Sequence, residues 1–390
     1  MTIYHSIGVT PVINAAGTNT RLSGGMMHPE VVAAMAEAAE ACVEMPDLQA
    51  AVSRVIAAMT GAEAGIVTGG ASAALLLGAA ACMAGLDAAA MDRLPESACR
   101  NEFIVMRSQR NMYDRALRVA GAKLVEVGIP DRFSGAGVRD TSAAEIRAAL
   151  SPNTAGVLWV AQPWSEPPLA EVVAVAHAAD VPVLVDAAAQ LPPATNLRAF
   201  IEAGADLVCF SGGKAIGGPQ ASGILAGRRA LVASALLQML DLDLPSAQFA
   251  LPPEFTCDAA PRHLPHHGIG RSCKAGKEEI VGLIVALRRF AAEGDGPRFA
   301  RLRARLDIVR QPLGNAPGVS ITDGPVPLLL IAMADAAAAR DAEAQLRGRH
   351  IHVGQGRLRE GMLVINPLAL AERDLAPLGT ALREVCFSPR

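Results

Sequence analysis

Aromatic residues are scarce. Two tryptophans, two tyrosines and nine phenylalanines make up 3% of the 390 residues, although 51% of the chain is hydrophobic. Much of that apolar content is alanine, which suits helices lying close against a sheet rather than a core built around large rings. The chain also lacks a C-x-x-C pair. Its seven cysteines (Cys42, Cys82, Cys99, Cys209, Cys257, Cys273, Cys386) are scattered and odd in number, so neither a disulfide framework nor a structural zinc site is expected. A marked excess of either charge is missing too, and a net charge of −3 provides no broad footprint for nucleic acid or an anionic membrane. The opening MTIYHSIGVTPVINAAG has no basic region followed by a long apolar run, so no secretory signal is read. The most apolar stretch, residues 71–86, is rich in Ala and Gly and short for a bilayer span, which favours a buried helix. A cytoplasmic, helix-rich globular protein is the expectation.

What is present is an alternating pattern. A chain of 390 residues is long for one core and suits a large domain plus a smaller one. Residues 1–30 show little periodicity and read as an arm. Helical patterns follow at 30–44 and 47–60, then a short strand ending in GIVTGG, then the buried helix at 71–85. Apolar runs at 103–107, 124–127, 156–160, 181–186 and 207–210 alternate with helical stretches at 112–121, 141–150, 168–179 and 196–204. This alternation predicts a mostly parallel sheet covered on both faces, with ligands beyond the carboxyl ends of its strands. A Pro-rich loop at 245–265 and a long helix at 278–293 lead into a smaller α+β unit with strands near 318–333 and 350–365.

The strongest chemical signal is LVCFSGGKAIGGPQ at 207–220, where an apolar strand ends in Ser211-Gly212-Gly213 and Lys214 sits in a turn too rich in glycine for ordinary packing. Alone, such a lysine could be a surface residue. In VPVLVDAAAQ, however, Asp186 closes a fully apolar strand, where a lone charge is costly without a cation. A protonated pyridine nitrogen is such a cation, and pyridoxal phosphate (PLP) needs that proton to act as an electron sink. Helix capping by Asp186 is the plainer alternative. The third element, Thr68-Gly69-Gly70-Ala71-Ser72, lets backbone amides at a helix start approach a phosphate. Strand–Gly turn–helix, then strand-Asp, then strand-Lys, in that order, is far more specific than any one of them.

The ordered trio resembles fold-type I PLP enzymes. SGGKAIGGPQASGIL, PVINAAGTNTRLSGG and GIGRSCKAGKEEIVGL are similar to the branch that contains bacterial selenocysteine synthase and D-glucosaminate-6-phosphate ammonia lyase, over roughly residues 8–285. The resemblance implies the fold-type I PLP transferase architecture, an α/β fold whose mostly parallel central sheet is flanked by helices. It implies an N-terminal arm (1–30), a large PLP-binding domain (31–280), a small α+β C-terminal domain (281–390), and a homodimer or larger homo-oligomer with shared active sites. Residue by residue, Lys214 would be the Schiff-base lysine and Asp186 the pyridinium partner, with Gly69, Gly70, Ala71 and Ser72 forming the phosphate cup. Ser211 and Gly218 would lie beside the cofactor and Gln190 near its hydroxyl. RSQRNMYDRA matches the place where such enzymes cover the ring, which makes Gln109, Arg110 and Tyr113 candidates, although no aromatic residue directly follows the strand. Arg271, Lys274 and Arg357 would meet the anionic groups of a small amino acid substrate.

Two other patterns carry less. Gly270 to Lys277 loosely resembles a P-loop, but five residues separate the glycines and Glu278 stands where Ser or Thr must hold magnesium. His263, His266 and His267 have the wrong spacing for a metal site. The resemblance favours a PLP-dependent carbon–nitrogen lyase that removes water and ammonia from a 2-amino-3-hydroxy acid, such as D-glucosaminate or its 6-phosphate, to give a 2-oxo acid. The alternatives are a racemase or epimerase, or a β-replacement enzyme of the selenium transferase type. The latter branch usually carries an N-terminal domain for transfer RNA, and here about 30 residues precede the first helix. A non-catalytic PLP-binding module would need a partner domain, and no nucleic-acid, membrane or metal partner is expected.

Overall fold

The computed structural model describes residues 2–96, 100–129, 141–257 and 263–387. The chain divides into a larger unit, Pro29–Leu191 with Thr195–Arg288, and a smaller one, Met1–His28 with Pro192–Ala194 and Arg289–Arg390. The smaller unit contributes β1 (Ile13–Ala15). The larger supplies β2 (Ala64–Thr68), β3 (Glu102–Met106), β4 (Lys123–Val127), β5 (Thr154–Val160), β6 (Val183–Asp186), β7 (Leu207–Ser211) and β8 (Gly223–Gly227). β9 (Val319–Ile321), β10 (Leu329–Ala332), β11 (Ile351–Val353) and β12 (Met362–Ile365) belong to the smaller unit.

The larger unit is built on a seven-stranded sheet of order β2-β8-β7-β6-β5-β3-β4. β4, β3, β5, β6 and β7 run parallel, and β8 runs antiparallel to both β7 and β2. β2, β5 and β6 are buried throughout, as continuous apolar strands covered on both faces must be. The helix Ala71–Ala84 crosses one face, and its small residues set the spacing. A Cβ on Gly78 would stand 3.1 Å from Leu184 Cδ1 of β6. This close approach is where the alanine excess and the shortage of rings are used. The β2 edge is closed by the helix Met45–Thr60: Gln49, fully buried, accepts from the Val67 N–H at 3.0 Å and donates to its carbonyl at 2.9 Å.

Within the larger unit, β8 is the strand the sequence pattern did not predict. It is the short GILAG, opens and closes on glycine, and follows a turn rather than a helix, so it lacks the signature of the other strands.

In the smaller unit β9, β10 and β12 form an antiparallel sheet of order β12-β10-β9, and β11 pairs in parallel with β1, which lies inside the segment read as an arm. Helices Asp295–Arg310, Ala336–Gly348 and Leu375–Phe387 supply Leu306, Leu346, Leu378 and Leu382 to its core. Among the described residues, no helix is long and apolar enough to cross a membrane.

Candidate active site

Chain direction brings the three chemical signals to one edge of the larger sheet. β2, β6 and β7 end there, and β8 begins there, with Gly223 in register with both Thr68 and Ser211. Lys214 follows β7 in a tight knot. The Gly212 N–H donates to the Ser222 carbonyl at 2.9 Å, the Gly218 N–H to the Gly212 carbonyl at 2.9 Å, and the Gly217 N–H to the Lys214 carbonyl at 3.0 Å. Side chains would break this knot, since a Cβ on Gly212 would fall 2.2 Å from Ser222 Oγ and one on Gly213 2.6 Å from Gln220 Cα. The Lys214 amine is drawn below its ordinary pKa by desolvation, against the pull of the Asp186 carboxylate. Desolvation brings the neutral form of the amine, the form that acts as nucleophile and base, closer to reach.

Asp186 closes β6 and is 8% exposed. Its Oδ1 accepts the Ala188 N–H at 3.1 Å and the Cys209 thiol at 3.7 Å, whereas Oδ2 takes no hydrogen bond among the described residues. Burial pushes this carboxyl above the usual aspartate range, with the Ala188 N–H and Lys214 pulling it back. The site thus holds a buried carboxylate that is under-compensated by its own chain and ready for a cation.

The glycine turn lies between β2 and the helix Ala71–Ala84. Thr68 Oγ1 donates to the Gly70 carbonyl at 2.9 Å, and Gly70 takes φ 123°, a conformation reserved for glycine. No side chain caps the helix, so its first N–H groups lack a capping acceptor. Behind the turn, the Gly69 N–H donates to the Cys273 carbonyl at 2.8 Å, so the segment Ile269–Cys273 buttresses it. A cleft of about 330 Å³ lies against the turn and the first residues of the helix, lined by Gly69, Ser72, Tyr113, Arg115, Ser272 and Cys273 among others but by neither Lys214 nor Asp186.

The remaining candidates are placed as follows. Ser211 and Gly218 belong to the Lys214 knot. Gln190 is half-buried, with its backbone N–H on the Ala187 carbonyl at 3.1 Å. Gln109 is buried, and both ends of its amide are committed to backbone: Oε1 accepts the Val160 N–H at 2.8 Å and Nε2 donates to the Glu166 carbonyl at 3.1 Å. Arg110 pairs with Asp114 and Glu126. Arg271 pairs with Asp241 at 2.6 Å, while Lys274 is exposed. Arg357, in the smaller unit, pairs with Glu360 at 2.7 Å. His266 bonds Asp92 at 2.8 Å, and among the described residues no cluster of His, Cys, Asp or Glu is arranged to hold a metal. Two neighbours escaped sequence reasoning, Cys209 beside Asp186 and Gly223 beneath Gly70. Only strand register reveals them.

The profile of the family described as "SelA: L-seryl-tRNA selenium transferase" matches residues 12–243. The chain belongs to this family. It is 29% identical to the D-glucosaminate-6-phosphate ammonia lyase of Salmonella typhimurium (strain 14028s / SGSC 2262), over 98% of this chain and 97% of the relative. It is also 29% identical to a 5'-C-glycyluridine monooxygenase-decarboxylase of Streptomyces sp, over 96% of this chain and 88% of the relative. The solved structure of a D-glucosaminate-6-phosphate ammonia-lyase superposes with a TM-score of 0.78 at 28% identity, covering 99% of this chain and 98% of the other. The expected α/β architecture with its mostly parallel sheet is the one found.

Proposed function

We propose that this protein is a PLP-dependent carbon–nitrogen lyase acting on a 2-amino-3-hydroxy acid of the amino-sugar type, D-glucosaminate or its 6-phosphate: the 3-hydroxyl leaves as water, and water taken back in hydrolysis of the resulting enamine releases ammonia and a 2-oxo acid. The observation that carries the reading is Asp186, a buried carboxylate short of a cation at the same sheet edge as the partly desolvated Lys214. The near full-length likeness to an ammonia lyase supports the reaction class.

The residues present fit the cofactor. The N–H groups opening the helix Ala71–Ala84 suit a phosphate dianion, Ser72 adds a hydroxyl there, and Asp186 suits a protonated ring nitrogen. Once bound, PLP supplies an electron sink for the charge left at the substrate α-carbon. Asp186 keeps the ring nitrogen protonated. The Lys214 amine would hold the cofactor covalently and, when free, would take the substrate α-proton as general base. Arg271 and Lys274 offer cations for the substrate's anionic groups, with Arg357 a third candidate. Cytoplasmic location and a homo-oligomer belong to the same proposal.

The test is an absorption spectrum of purified protein with PLP, for the native chain and Lys214→Ala, followed by an ammonia-release screen over hydroxy amino acids and amino-sugar acids. A lysine-bound PLP band lost in the variant, with ammonia from one substrate group, is expected. The band without ammonia would shift the reading to racemisation or β-replacement, or, if oxygen is consumed and carbon dioxide released, toward the chemistry named for the Streptomyces relative. No band in either protein would overturn the assignment.

A further inference from the structure

Cys209 is fully buried on β7 and in register with Asp186 on the parallel neighbour β6. Residues in register on adjacent strands direct their side chains to the same face of a sheet, which brings Sγ to 3.7 Å from Asp186 Oδ1. The other buried side chains of β7, those of Leu207, Val208 and Phe210, cannot donate a hydrogen bond, so Cys209 is the only buried donor this strand offers the carboxylate.

We infer that Cys209 is a positioning residue for Asp186, its thiol and the Ala188 N–H together fixing Oδ1 so that Oδ2 is the oxygen left to meet the cation the site receives. The inference rests on the PLP reading for the identity of that cation, although the Cys209–Asp186 bond itself does not. Burial and the neighbouring carboxylate push the thiol well above its ordinary pKa, so it stays protonated and acts only as a donor. A thiolate here would repel the carboxylate. Lys214, Cys209 and the Ala188 N–H are the groups acting on Asp186 among the described residues, and of the first two only Cys209 sits on the neighbouring strand in register. A thiol is a weak donor, so it orients the carboxylate without draining the charge needed to keep a ring nitrogen protonated.

Two variants separate donation from packing. Cys209→Val removes the donor in a somewhat larger apolar side chain, whereas Cys209→Ser restores a stronger donor in a slightly smaller one. In the apoprotein, carboxyl-labelled aspartate followed by NMR and assigned with Asp186→Asn reads the Asp186 titration directly. The midpoint is expected to rise by about half a pH unit in the Val variant and to fall below native in the Ser variant. PLP affinity is expected to weaken about two- to fivefold in Cys209→Val, more at pH 6 than at pH 8, and to recover in Cys209→Ser. Val and Ser variants that shift together, or that both match the native protein, would overturn the inference. Failure of the native chain to bind PLP would overturn the functional reading instead, while the apoprotein titration would still decide whether Cys209 acts on Asp186.

Discussion

Gly223 lies directly beneath Gly70: a Cβ on Gly223 would stand 2.4 Å from the Gly70 carbonyl carbon and 2.6 Å from the Ala71 nitrogen. Both obstacles are backbone, so neither can rotate away. The first residue of β8 thereby sets the height of the turn proposed to hold phosphate, at the point where β8 is in register with Thr68 and Ser211.

Gly223→Ala is therefore expected to destabilise the apoprotein by about 1–3 kcal/mol, the usual cost of overpacking, and to weaken PLP binding beyond what the stability loss explains. Urea unfolding of the apoprotein and a PLP fluorescence titration check the two parts. Unchanged affinity would mean that the cup does not depend on this contact.

Asp186→Asn should stabilise the apoprotein while impairing cofactor binding. Burial raises the carboxyl pKa despite attraction to Lys214, so the folded state binds its proton more tightly than the unfolded chain does. The resulting penalty is absent below the ordinary aspartate pKa, grows as pH rises toward the shifted value, and persists above it. The melting temperature of Asp186→Asn should therefore exceed native at neutral pH, by about 2–4 °C per kcal/mol relieved, and converge with it in acid. Calorimetry at pH 4 and pH 7.5 distinguishes this from a carboxylate already compensated in the apoprotein, which would give no difference at either pH.

Much of the larger unit is legible in the sequence because parallel strands buried on both faces must be continuously apolar. VPVLVD and LVCFS declare themselves that way, and a charge closing such a run, as Asp186 does, has few explanations. Lys214 is legible for the complementary reason, since SGGK carries more glycine than a packing turn needs. β8 is not, because GILAG is an antiparallel insertion with no preceding helix. Cys209 and Gly223 matter through register, and register is set by tertiary pairing rather than by local spacing. For Gln109 the sequence marks the neighbourhood, but nothing local tells that its amide will clasp backbone on either side of the loop after β5.

That clasp can be tested. Gln109→Leu would leave the buried Val160 N–H and the Glu166 carbonyl without their partner. At about 1–3 kcal/mol for an unpaired buried polar group such as the Val160 N–H, a loss of that size is expected, equal in apoprotein and PLP-loaded protein. A loss confined to the loaded protein would instead make Gln109 a cofactor contact, so denaturation with and without PLP decides between the two roles.

The last prediction concerns which charge Arg271 serves. Its guanidinium is held at 2.6 Å by Asp241, a carboxylate more than half exposed whose pKa is drawn down by the Asp243 N–H and by Arg271. An exposed pair of this kind contributes little to stability, so Asp241→Asn should leave the melting temperature unchanged. If Arg271 receives the substrate's anionic group, Asp241 competes with that group, and removing the competitor should lower KM with little change in kcat, most visibly at low salt where screening is weakest. Arg271→Gln should do the opposite, raising KM by about tenfold or more, as loss of a charge-assisted bond worth about 1.5–3 kcal/mol implies. Parallel changes in kcat for both variants would place Arg271 in the structure of the Ile269–Cys273 segment, which buttresses Gly69, rather than in substrate recognition.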